Sequence, residues 1–277
     1  MSKVWFITGS SRGFGREFAL AALERGDQVA ATARDAGTLN NLVERFGDAV
    51  LPLRVDVTDR AQVFDAVAAA QQRFGRLDVV VNNAGYALVG AVEEISEQEL
   101  RDQLETNLFG VLHVTQAVLP VLRAQGSGHI FQISSALGQL AMAGAGGYSA
   151  SKFALEGLSD ALSQEVAPYG IKVTLIEPGG YATGFSSASV FTAHRKDAYD
   201  ALHASLIEQG RGIGARARRR RSGDPAAGRR AGPAAAGLLR RRPHPVGARG
   251  VPAAPADLGR VVAPVQGRRR QVASKAA

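Results

Sequence analysis

Val4-Trp5-Phe6-Ile7-Thr8-Gly9-Ser10-Ser11-Arg12-Gly13-Phe14-Gly15 stands three residues into the chain. Its four apolar residues read as a strand, and a turn carrying three glycines follows. From Phe14 to Arg25 the apolar side chains take helical spacing, which stops at Gly26. Each glycine has a separate task in such a turn. Gly9 permits the sharp reversal, Gly13 lets the backbone come close to a bound anion, and Gly15 lets the helix pack tightly. The free N–H groups and positive dipole end of the helix then favour a phosphate there. Spaced glycines alone also serve plain connecting turns. Their position between a first strand and a first helix is what points to a nucleotide site.

The same alternation continues outward from this turn. Strands are predicted over 29–33, 50–55, 77–81, 130–133 and 172–176. Pro52 marks the third of them as an early or edge strand. Helices are predicted over 38–46, 97–123 and 149–167, with a further helical stripe at Val63, Phe64, Val67 and Gln71 that Asp59 and Gln62 cap. Pro120 predicts a kink or break in the long second helix. Apolar strands alternating with amphipathic helices imply an α/β fold: a single Rossmann-like, doubly wound parallel sheet with helices on both faces. Ligands bind beyond the carboxyl ends of such strands.

Composition narrows the class. The 277 residues contain no cysteine, which excludes disulfides, thiolate metal sites and a cysteine nucleophile. The histidines at 113, 129, 194, 203 and 244 lack ligand spacing, so no metal is expected. No apolar run is long enough for a membrane span, and the start of the chain resembles no secretory signal, which points to a cytoplasmic protein. The net charge of +8 conceals a split: residues 1–210 carry −7 and residues 211–277 carry +15. The body is therefore not an expected nucleic-acid binder, and only the tail is basic.

An NAD site commonly has an acidic residue after the second strand, to bind the ribose hydroxyls. Here Ala33 takes that slot, followed by Arg34, and Arg12 sits in the glycine turn. Two guanidiniums favour the 2′-phosphate of NADP(H). Asp35, one place on, keeps NAD(H) as the alternative.

Four further segments carry chemistry: Asn82-Asn83-Ala84-Gly85, Asn107, Ser135 after Ile133-Ser134, and Tyr148-Ser149-Ala150-Ser151-Lys152. Tyr148 and Lys152 are four apart and share a helix face. An ammonium there lowers the phenol toward working pH, so that Tyr148 can exchange a proton with a carbonyl oxygen while Ser135 holds that oxygen. With the glycine turn, these segments resemble the short-chain dehydrogenase/reductase family, in order and spacing, over roughly residues 3–185. The resemblance implies a hydride-transferring oxidoreductase with Asn107, Ser135, Tyr148 and Lys152 as its catalytic set. Lys152 would also bind the nicotinamide ribose, and Asn107 would anchor a water that relays protons to it. Gly9, Ser11, Arg12, Gly13, Phe14, Gly15 and Arg34 would hold the phosphates, with Asp56 and Val57 flanking adenine. Asn83 would touch the cofactor, while Asn82 ties strands together. Pro178, Gly179, Tyr181 and Thr183 would close over the nicotinamide. A homodimer or homotetramer is likewise implied.

The segments at 86–95, 136–147 and 184–209, the last a candidate lid, are largely apolar, so hydrophobic alcohols and their ketones or aldehydes are the expected substrates. Beyond residue 210 the resemblance ends. The segment 211–277 is rich in Ala, Arg, Gly and Pro, with arginine runs at 218–221, 240–242 and 268–270. That composition predicts disorder. It fits either a basic arm that contacts acidic surfaces or nucleic acid, or a shifted reading frame in a GC-rich gene. The rival to an enzyme is a non-catalytic NADP-binding sensor or partner-binding protein that uses this arm.

Overall fold

The computed structural model of the protein describes residues 2–179 and 189–208. Its main sheet has six parallel strands: β1 (Val4–Ile7), β2 (Gln28–Ala33), β3 (Val50–Arg54), β4 (Val79–Asn82), β6 (Gly128–Ile133) and β7 (Ile171–Ile176). Their order is β3-β2-β1-β4-β6-β7. The helices α1 (Gly13–Glu24), α2 (Asn40–Phe46), α3 (Arg60–Phe74), α4 (Glu97–Leu104), α5 (Gly110–Gln125) and α6 (Gly146–Val166) alternate with these strands. A second, two-stranded parallel sheet joins β5 (Ala87–Val89) to β8 (Ser189–Phe191), and a last helix, α7, covers 200–208.

The strand pattern of period two divides the core. Val4, Phe6, Ala30, Val80 and Ile130 point to one face and pack with Val63 and Val67 of α3 and Val114, Val118 and Leu122 of α5. Ile7, Val29, Ala31, Val79 and Val81 point to the other face and pack with Ala19 and Leu23 of α1 and Leu42 of α2. Near-continuous apolar strands are what a sheet covered on both faces requires. The chain winds outward from β1 to β3 and then returns, so that β4 lies against β1 on its free side. This reversal opens a crevice between the carboxyl ends of β1 and β4, where both the glycine turn and Asn83 lie.

Pro52 does lie on an edge strand, since among the described residues β3 pairs only with β2. Pro120 does not break its helix: α5 runs through it from Gly110 to Gln125. The irregularity lies upstream, where Glu105–Phe109 forms a π-helical turn between α4 and α5. The sequence pattern also missed β5 and β8, because strands of three residues leave no measurable period. The helical start expected near 149 lies at Gly146, so Tyr148 falls inside the first turn of α6. Among the described residues no helix is long and apolar enough to cross a membrane.

Candidate active site

The glycine turn is built around close backbone contacts. Gly9 has φ of 68° and Gly13 of 59°, conformations that exact a strain from any side chain. A Cβ at Gly15 would collide with the Gly9 carbonyl oxygen and with Asn83 Nδ2. The Asn83 amide donates to the carbonyls of Thr8 at 2.9 Å and Gly9 at 3.1 Å, fastening the turn to the end of β4. Asn82, as expected, ties strands instead, donating to Gln132 on β6 at 2.9 Å.

Helix caps separate α1 from its neighbours. Asp59 caps α3 through the Gln62 N–H, and Ser96 and Glu99 form a reciprocal capping box on α4. The N-cap residue of α1, Arg12, makes no such side-chain cap. Gly13 and Phe14 of the helix's first turn line the crevice, and this helix start with its glycine cradle fits a nucleotide pyrophosphate.

The crevice widens into a cavity of about 1220 Å³. Gly9, Ser11, Arg12, Gly13 and Phe14 line it from the turn, Arg34 from the end of β2, and Asp56 and Val57 from the end of β3. Asn83, Pro178 and Gly179 also reach it. Gly15 lies buried behind this lining. Tyr181 and Thr183 lie outside the described residues. Arg12 and Arg34 are exposed. Asp35 is turned to another use: its Oδ1 accepts the Gly37 N–H at 2.9 Å and caps the turn at Ala36–Leu39.

Ser135, Tyr148 and Lys152 meet on the wall of the same cavity. Ser135 stands just past β6, and its side chain accepts the Leu137 N–H at 3.1 Å and bonds to the Tyr148 hydroxyl. Lys152 Nζ donates to the Ile133 carbonyl at 2.7 Å and sits 5.7 Å from the Tyr148 ring centroid. All three side chains are buried. Burial pushes the Tyr148 phenol up to about 12 against the opposing Ser135 bond. It pulls the Lys152 ammonium down to about 8 against the nearby Glu156 carboxylate. The phenol thus moves opposite to the lowering expected from Lys152: its loss of hydration exceeds what the Ser135 bond returns.

Asn107 sits in the π-helical turn and is fully buried. Its Nδ2 donates to the Tyr86 carbonyl at 3.0 Å and to Ser151 Oγ at 3.1 Å, while its Oδ1 accepts the Tyr86 N–H at 3.2 Å. The side chain thus clamps the segment after β4 to α6, one residue before Lys152. Sequence reasoning missed two neighbours in this arrangement. Ser151 bridges Asn107 to the Tyr148 carbonyl, to which it donates at 2.7 Å. Glu156 stands one turn past Lys152, its carboxyl raised by burial and by the carboxylates of Glu177 and Asp160. The four-residue step from Lys152 to Glu156 was the available signal.

Comparison with known proteins agrees with this geometry. Residues 3–192 match the family model described as short chain dehydrogenase. An oxidoreductase, BOA17, of Botryotinia fuckeliana is 49% identical over 209 residues, covering 75% of this chain and 76% of that protein. A short-chain dehydrogenase structure from Streptomyces avermitilis superposes with a TM-score of 0.69 at 46% identity, covering 73% of this chain and 74% of its own. Two further structures carry nucleotides. A short-chain dehydrogenase/reductase of Burkholderia phymatum in complex with NAD has a TM-score of 0.69 at 28% identity, covering 77% and 79% of the two chains. ElxO with NADP bound has 0.62 at 30% identity, covering 65% and 74%.

Proposed function

The chain belongs to the short-chain dehydrogenase family, and from this premise we propose that it is an NADP(H)-dependent oxidoreductase that interconverts a hydrophobic secondary alcohol and its ketone. The observation that carries the reading is the convergence of Ser135, Tyr148 and Lys152 on the cavity into which the glycine turn opens. A bound nicotinamide nucleotide supplies the hydride in reduction and accepts it in oxidation.

The chain's own residues handle position and proton. The start of α1 and the glycine turn would hold the pyrophosphate, Asp56 and Val57 the adenine, and Lys152 a ribose. Tyr148, a phenol at neutral pH, gives its proton to the carbonyl oxygen in reduction and takes it back in oxidation. Ser135 bonds to that oxygen, and its bond to Tyr148 together with the Lys152 charge stabilises the phenolate left behind. Tyr148→Phe is expected to lower kcat by about 10²–10⁴-fold while NADPH still binds. Equal loss of NADPH binding would count against the assignment.

Preference for NADP(H) rests on Arg12 and Arg34 at the cavity and on Asp35 being engaged in a cap. Removing either guanidinium is expected to weaken NADPH by about tenfold, a little under the strength of one charge-assisted bond, and to leave NADH nearly unchanged. Equal effects on both nucleotides in direct titration would overturn the preference. We extend the same reading to a cytoplasmic homodimer or homotetramer whose catalytic domain is residues 1–210. Sedimentation of the full-length chain tests the assembly.

A further inference from the structure

Part of the cavity wall is apolar and is assembled from distant segments: Leu88 on β5, Val190 on β8 and Leu206 on α7. The β5–β8 register places Leu88 beside Val190. A Cβ at Gly144 would run into Leu206, so this side chain lies directly on the backbone there. The segment carrying Val190 and Leu206 is fastened through polar groups. Glu94, itself buried, accepts the N–H of Ala91 at 2.9 Å and of Lys196 at 2.8 Å. His203 Nε2, on α7 and fully buried, lies 2.8 Å from Glu94 Oε2. Glu99 adds a bond from the Ala193 N–H at 2.9 Å, and Glu93 pairs at the surface with Lys196 and the Tyr199 hydroxyl. His203 and Leu206 are three residues apart and share one side of α7, so what anchors the first sets the position of the second.

We propose that the buried Glu94–His203 pair is a positioning pair for substrate specificity. It holds Val190 and Leu206 in line with Leu88 and so gives the enzyme its preference for long apolar carbonyl compounds. The proposal rests on the oxidoreductase reading above. It adds the substrate class and the device that selects it. Apolar area buried by each added methylene supplies the selectivity, provided the wall does not move.

The test uses the full-length protein with NADPH and straight-chain methyl ketones from butanone to nonanone. In the wild type kcat/KM is expected to climb with chain length. In Glu94→Gln and His203→Ala the climb flattens: KM for nonanone rises about tenfold, or ~1.4 kcal/mol, while kcat for butanone and NADPH affinity hold. His203→Gln, which keeps a donor for Glu94, regains most of the preference. Leu206→Ala flattens the series with the pair intact, and it decides the matter if the pair variants do not fold. An unchanged slope in these variants, or an equal loss on every ketone, overturns the proposal. Calorimetric affinities for the matching alcohols give a second readout that needs no turnover. Rising affinity that flattens in Glu94→Gln, without turnover of any ketone, would sustain the positioning pair and sink the oxidoreductase reading. Turnover with no dependence on chain length would do the reverse.

Discussion

Burial moves Tyr148 and Lys152 in opposite directions, and pH reads out the two shifts separately. The unfolded chain keeps the Lys152 proton up to its ordinary value of 10.5, whereas the fold surrenders it at about 8. Between these values the unfolded state binds more protons, so stability rises with pH, by on the order of a few kcal/mol. Tyr148 works the other way. Its phenol is lost at 10.0 when unfolded and at about 12 when folded, so stability falls as pH passes 10. Denaturant unfolding across this range is expected to show the rise from pH 8, and Lys152→Met to lack it. A rise that persists in Lys152→Met would assign it to other groups.

At the scale of elements, α1 and its turn are the most demanding piece. Gly15→Val would drive a branched side chain into the Gly9 carbonyl and the Asn83 amide, so the helix must retreat from β4. NADPH binding is expected to fall below detection, with a stability loss of about 1–3 kcal/mol typical of overpacking. Normal NADPH affinity in a folded Gly15→Val protein would contradict the seating of α1. The clasp between the Glu93–Glu99 stretch and 189–208 has its own pH signature. Burial works to raise Glu94 and Glu99, but donors from Lys196, His203 and Ala91 hold Glu94, and Ser96, Ala193 and Thr192 hold Glu99, each to about 2. Carboxyls lowered in this way support the fold above their ordinary value of 4.5 and lose that support as pH falls toward 2. Hydrogen exchange at the Lys196 N–H is therefore expected to quicken in acid before exchange in β1 does; simultaneous loss of both would show no separate clasp.

For the whole molecule, β7 forms one edge of the described sheet. Among the described residues β7 pairs only with β6, and Thr174, Leu175 and Ile176 stay only half-buried. The basic segment 211–277 lies outside the described residues, and reading the coding DNA in the other two frames tests the shifted-frame origin: an apolar, aromatic-bearing strand and helix there would support it. Thermal unfolding of the full-length chain reports on the finished fold. At NADPH about 100 times its Kd, stabilisation of about 2.7 kcal/mol is expected, with much less from NADH. No cooperative transition, or no shift with either nucleotide, would mean that the pocket is not completed.

The family resemblance named Ser135, and the sequence alone determined the parallel α/β sheet, the glycine turn and the shared helix face of Tyr148 and Lys152. These depend on short-range rules: period two in buried strands, glycines where backbone must approach backbone, and a four-residue helical step. Such rules act within one or two elements, so they can be read from neighbours in the chain. The Tyr148 phenol moves opposite to the expected direction, because charge on Lys152 is visible in sequence and loss of hydration is not. The clamp made by the Asn107 side chain and the passage of α5 through Pro120 were decided by tertiary structure. So was the Glu94–His203 pair, whose members stand far apart in sequence beside residues that look like ordinary surface charges. Burial is a property of the assembled molecule, and it alone turns such a pair from a solvated one into an anchor.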